Sequence, residues 1–125
     1  MKNNITDYGA FKSIPTDDFL EKVEEGYKII DVRRQDEWDM TGIIEGSAKI
    51  TFFDEMGQHD IPGFMEAFSK VVTSKDQPFI LVCAHANRTK SIGEFLGAKM
   101  GYTDVYELDG GINAGWIDQG YGTVK

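Results

Sequence analysis

Phe79-Ile80-Leu81-Val82-Cys83-Ala84-His85-Ala86-Asn87-Arg88-Thr89 is an apolar run that stops at a cysteine and gives way to small and polar residues. Four apolar residues with no polar alternation read as a strand buried on both faces, the condition of a strand in a parallel sheet covered by helices. A helical pattern follows, with Thr89 as its cap, Ile92, Phe95, Leu96 and Met100 as its apolar face, and Gly101 as its stop. Strand, turn and helix in that order put Cys83 at the carboxyl end of a strand, where open α/β sheets bind their ligands.

Outward from this unit the alternation of strand and helix continues in both directions. It specifies one α/β domain with a central, mostly parallel sheet of about five strands and helices on both faces. Tyr27-Lys28-Ile29-Ile30-Asp31-Val32 reads as a central strand, preceded by a helix capped by Thr16, with Asp17 and Asp18 in its first turn. Arg34 to Met40 reads as a short helix closed by Gly42, and Ser47-Ala48-Lys49-Ile50 as a short strand. Gly57, Pro62 and Gly63 interrupt the stretch from Phe52, after which Phe64, Phe68, Val71 and Val72 mark another helix. Asp104-Val105-Tyr106-Glu107-Leu108 is the last strand, and Gly110-Gly111 leads into a terminal helix around Trp116 and Ile117. The domain spans residues 1–125, with residues 1–10 expected as a flexible extension.

Composition narrows the function classes. At 41% hydrophobic and 27% charged residues, the 125-residue chain has the make-up of a soluble globular domain that buries about two thirds of its unfolded surface. No apolar stretch approaches the roughly 20 residues of a membrane span, and Met1 to Asp7 lack the apolar core of a secretion signal, so the expected location is the cytoplasm. A net charge of −8 without a basic stripe argues against nucleic acid and acidic membranes as partners. One cysteine permits no intrachain disulfide and no paired-cysteine motif. With two isolated histidines it also lacks metal-ligand spacing, so neither a metal nor a cofactor is expected.

A free cysteine is commonly a small buried hydrophobe. At the entrance of a tight turn that opens into a helix the balance changes, because successive backbone N–H groups form a nest for an anion. A thiol so placed can fall from its ordinary pKa of about 8.5 into a range of roughly 3.5 to 7.5 and become a nucleophile at neutral pH. Four residues separate Cys83 from Arg88, so the guanidinium is expected to close over a small anion held by the loop, from Ala84, His85, Ala86 and Asn87 to Thr89.

Three separated segments extend this reading. They are Asp31-Val32-Arg33 with Glu37-Trp38 and Gly42-Ile43-Ile44-Glu45-Gly46-Ser47, the loop Cys83 to Thr89, and Leu108-Asp109-Gly110-Gly111-Ile112 with Trp116. In this order and spacing the chain resembles the rhodanese-like family of single-domain sulfurtransferases, from about Asp18 to Tyr121. The resemblance implies covalent catalysis: Cys83 takes the outer sulfur of a small donor such as thiosulfate or a persulfide and carries it as a persulfide to a thiophilic acceptor. Ala84, His85, Ala86, Asn87, Arg88 and Thr89 would bind the substrate. With no second cysteine, the acceptor must be an external thiol, cyanide or a partner protein, and the chain is expected to act as a monomer. Related phosphatases use Cys-x5-Arg, one residue longer, around a phosphate; the Cys-x4-Arg spacing here disfavours phosphatase action. Two other readings stay open: a rhodanese-like binding or regulatory module with negligible turnover, and a redox sensor whose exposed thiol is oxidised to sulfenic acid.

The chain departs from the family pattern at Ala86, where the loop usually carries glycine and where a side chain is penalised if the backbone needs a positive φ. Gly42 to Ser47 lack the histidine and proline of the family's Gly-His-Ile-Pro-Gly-Ala. Asp31 and Arg33 follow the central strand onto the sheet edge beside the site. Arg33 is expected either to pair with Glu37, four residues on, or to attract an anionic donor, and Asp31 to act as a hydrogen-bonding partner. His85 either orients a donor or lies on the rim, His59 is expected at the surface, and Trp38 and Trp116 are read as core.

Overall fold

Short apolar runs punctuated by glycine build twelve small elements around the Phe79–Val82 strand. They are β1 (Thr6–Asp7), β2 (Lys12–Ile14), α1 (Thr16–Glu24), β3 (Lys28–Asp31), α2 (Gln35–Thr41), β4 (Ala48–Lys49), α3 (Ile61–Val71), β5 (Phe79–Val82), α4 (Arg88–Glu94), a wider π-type continuation of α4 (Phe95–Lys99), β6 (Val105–Leu108) and a terminal π-helical segment (Asn113–Ile117). The computed structural model describes residues 4–125. Its sheet runs in the order β1-β2-β6-β5-β3-β4. Every pairing from β2 to β4 is parallel, which makes five parallel strands, in line with the about five expected, although β2 is not among the strands located in the sequence; β1 adds a sixth, antiparallel, at the edge. Within the expected flexible extension, Thr6–Asp7 is therefore a sheet edge, pairing with Ser13 and Lys12, while residues 1–3 lie outside the described residues.

All four β5 residues are buried, and their side chains alternate between two cores, as a strand covered on both faces requires. Phe79, Leu81 and Cys83 pack with Phe64 and Phe68 of α3 and with Ile92 and Leu96. Ile80 and Val82 pack with Phe19 of α1, Ile112 and Trp116 on the other face. β5 separates β3 from β6, so the loop after it lies between the ends of two strands, at the position where such sheets place their ligands.

Two expected caps are corrected. Pro15, not Thr16, occupies the N-cap of α1; Thr16 is the first helical residue, and its hydroxyl donates to the Gly115 carbonyl at 2.6 Å, tying α1 to the terminal segment. Thr89 lies inside α4, behind Asn87 at the N-cap, and its hydroxyl points into the sheet, where it donates to Glu107. Among the described residues no helix is long and apolar enough to cross a membrane.

Candidate active site

Cys83 is the first residue beyond β5 and is 1% exposed. Ala84 to Asn87 then turn the chain into α4. The path requires φ +64° at Ala86, the one non-glycine residue with positive φ among the described residues. The departure noted in the sequence thus falls on the residue where it costs most, because a Cβ in the left-handed region is unfavourable by about 1–2 kcal/mol. Ala86→Gly is expected to raise stability by about 0.5–1 kcal/mol once the extra entropy of glycine is subtracted. Thermal unfolding would show this as a rise of a few degrees in Tm. An unchanged or lower Tm would mean that the alanine is not strained.

The strained turn is held from two sides. Lys90 Nζ donates to the Ala86 carbonyl at 2.8 Å. From the segment after β6, the N–H of Ile112 donates to the Cys83 carbonyl at 2.8 Å and that of Asn113 to the Ala84 carbonyl at 3.1 Å. Gly111 permits this approach; a Cβ there would stand 2.4 Å from the Ala84 carbonyl oxygen. With the carbonyls at the loop's start so engaged, its amides are left over. Among the described residues, the N–H groups of Ala84, His85, Ala86 and Asn87 have no protein acceptor. That is the arrangement of an anion nest.

Arg88 does not close over the loop. Its Nη1 and Nη2 donate to the two carboxylate oxygens of Glu37, each at 2.7 Å, in a two-point pair between α4 and α2. Hydrogen bonding to Glu37 raises the Arg88 pKa further, against the opposing effect of burial, and the nearby Cys83 and Asp31 act in the same direction as Glu37. Burial pushes the Glu37 carboxyl up, but the hydrogen bonds from Arg88 and the Arg34 backbone, with the charges of both arginines, outweigh it and hold Glu37 below its ordinary value.

The expected Arg33–Glu37 pair is not formed, because Glu37 is taken by Arg88. Arg33, 1% exposed, instead turns back onto Asp31 of β3, itself fully buried. Nε donates to Asp31 Oδ1 at 3.0 Å and Nη2 to Oδ2 at 2.8 Å, while Nη1 and Nη2 reach the Thr41 hydroxyl and the Gly42 carbonyl, both at 2.8 Å. Neither Asp31 nor Arg33 faces the loop as a donor for an anion; the pair fixes the end of β3 beside it.

On the other flank lies a group that the sequence reading missed. Cys83 Sγ is 3.5 Å from the Thr89 hydroxyl, which donates at 2.5 Å to Glu107 Oε1 on β6. Lys90 Nζ donates to the second carboxylate oxygen, Oε2, at 2.6 Å. Glu107 is fully buried. The signal was present in Val105-Tyr106-Glu107-Leu108: a carboxylate in a strand covered on both faces needs a cation, and Lys90 is it. His85 and Asn87 are exposed, and His85 Nε2 lies 3.3 Å from Asn113 Nδ2 on the rim. His59 is exposed and lines a separate cavity of about 580 Å³ with Lys49, Phe52 and Phe64, among others, and no residue of the Cys83 loop.

A mostly parallel sheet with a cysteine at the end of its middle strand, and four unpartnered amides between that cysteine and the next helix, defines the class of α/β domain to which this chain's fold and candidate site point. The family model described as Rhodanese-like domain matches residues 15–118, and the chain belongs to that family. Thiosulfate sulfurtransferase GlpE of Pseudomonas fluorescens strain Pf-5 is 31% identical over 102 residues, 82% of each chain. Among solved structures, a rhodanese-related protein of Thermoplasma volcanium is similar with a TM-score of 0.65 and 28% identity, covering 90% of this chain and 96% of that one. A rhodanese-like domain protein of Staphylococcus aureus matches with a TM-score of 0.61 and 26% identity, covering 90% of this chain and 98% of that one.

Proposed function

We propose that this chain is a sulfurtransferase that moves a sulfane sulfur through a persulfide on Cys83. The observation that carries the reading is the set of four unpartnered amides, Ala84 to Asn87, directly after the lone cysteine. In the first half-reaction the Cys83 thiolate attacks the outer sulfur of thiosulfate. A bond forms between Sγ and that sulfur, the sulfur–sulfur bond of the donor breaks, and sulfite leaves with the bonding pair. Both products carry negative charge, which preorganised N–H groups stabilise without rearranging. In the second half-reaction an external thiol, cyanide or a protein acceptor attacks the outer sulfur and Cys83 departs as the thiolate. The identity of the Pseudomonas relative supports thiosulfate as a donor. Arg88, paired with Glu37, leaves direct anion contacts to the amides.

The same Arg88–Glu37 pair favours a second reading, a binding module with little turnover, because the one loop guanidinium is already occupied. Intact-protein mass spectrometry separates the two. Treatment with thiosulfate or a small persulfide is expected to add one sulfur, about 32 Da, that cyanide removes and that Cys83→Ser does not acquire. No adduct with either donor would sink the sulfurtransferase reading and leave the binding module.

A further inference from the structure

We propose that Glu107 is a positioning residue that, through the Thr89 hydroxyl, holds resting Cys83 as a thiol. The inference deepens the sulfurtransferase reading and rests on Cys83 being the sulfur carrier.

Direction of donation along one chain of hydrogen bonds decides the matter. A hydroxyl has a single proton to give. Thr89 gives it to Glu107 Oε1, a charge-assisted bond of 2.5 Å to a fully buried carboxylate. Toward Cys83 the same hydroxyl therefore presents a lone pair, and of the two possible directions of the 3.5 Å contact the bond to Glu107 selects the one with sulfur as donor. A thiolate at this position would face oxygen lone pairs, so the arrangement favours the protonated sulfur.

The other charged groups around Cys83 do not compete for this role. Arg88 is matched by Glu37 on the α2 side, and Arg33 by Asp31 at the end of β3. His85 points to the exposed rim beside Asn113. Lys90 is fixed by Glu107 and by the Ala86 carbonyl, with its ammonium 5.6 Å from the Tyr8 ring centroid. Only Glu107 reaches the sulfur through a proton-carrying group.

Glu107→Gln reverses the chain. Lys90 needs an acceptor and claims the amide oxygen, the amide nitrogen donates to Thr89 Oγ1, and the Thr89 proton is freed for sulfur. The pH midpoint of Cys83 alkylation by iodoacetamide is then expected to fall by about one unit, roughly a tenfold gain in rate well below the midpoint. In a Thr89→Val background the same change should shift the midpoint little, and Thr89→Ser should behave as the parent. An unchanged or raised midpoint in Glu107→Gln, or an equal shift in the Thr89→Val background, overturns the proposal. Should Glu107→Gln not fold, Thr89→Val alone decides. Loss of the S–H acceptor lowers the midpoint; a rise, or no shift, shows that the hydroxyl does not hold the thiol and overturns the proposal. Alkylation reads the thiol whether or not sulfur is transferred, so its failure is distinct from the absence of a sulfur adduct.

Discussion

Asp31→Ala is expected to destabilise the protein by about 3–5 kcal/mol, the cost of leaving a buried charge without its partner. Arg33 is 1% exposed, and Asp31 takes both its Nε and one of the two bonds of its Nη2. Thr41 and Gly42 satisfy other N–H groups but carry no charge to balance the guanidinium. Asp31 also accepts from the Arg33 backbone N–H at 3.1 Å, so its removal frees the chain just where β3 ends. A loss of this size is a large part of the roughly 5–15 kcal/mol that holds a domain together. Thermal or urea denaturation should show a Tm lower by about 10–20 °C. A shift equivalent to less than about 1 kcal/mol would mean that water reaches the guanidinium and that the pair is not buried in solution.

Gly111→Ala should cost less stability and more reactivity. Gly111 has φ +66°, and an added Cβ would lie 2.4 Å and 2.5 Å from the carbonyl oxygen and carbon of Ala84 and 2.6 Å from the Cys83 carbonyl oxygen. These are backbone atoms, so no side chain can swing aside. Relief requires the segment after β6 to part from the start of the loop, breaking the bonds from Ile112 and Asn113 that hold it. Left-handed strain together with overpacking is worth about 2–4 kcal/mol. Displacement of a nucleophile by about 1 Å can lower a rate about a hundredfold. The rate of sulfur loading on Cys83, followed by mass at fixed pH and at a temperature where the variant is folded, is expected to fall by that order. Parental loading in a destabilised variant would show that the nest does not depend on this contact.

The parts of the molecule legible in the sequence are those set by local pattern. The unbroken run Phe79 to Val82 marks the middle strand, and the glycine-bounded segments give β3, β4 and β6 within a residue or two. β1 and β2 escape because strands of two and three residues are too short to show alternation. At the site, Cys83, the loop and the cost of Ala86 are readable because they follow from sequence neighbours and backbone geometry. The ion pairs are not. Arg33 and Glu37 are ideally spaced for a helical pair, but α2 begins at Gln35, so Arg33 precedes the helix and finds Asp31, while Glu37 reaches across 51 residues to Arg88. Glu107 was read only as one residue of a strand; the covering of both faces of that strand turns it into a buried partner of Thr89 and Lys90.

The pairing of every cation around the loop has a consequence for how a donor arrives. Arg33, Arg88 and Lys90 each stand against a carboxylate within 2.8 Å, so the pocket casts almost no positive field beyond its own walls. The whole chain carries a net charge of −8. On the proposed sulfurtransferase reading, a dianion such as thiosulfate would thus be repelled at a distance and held only on contact, by peptide dipoles whose reach is a few ångströms. Encounter is governed by screening: added salt shortens the repulsion, by a Debye length of about 8 Å at physiological ionic strength, and leaves the short-range cradle intact.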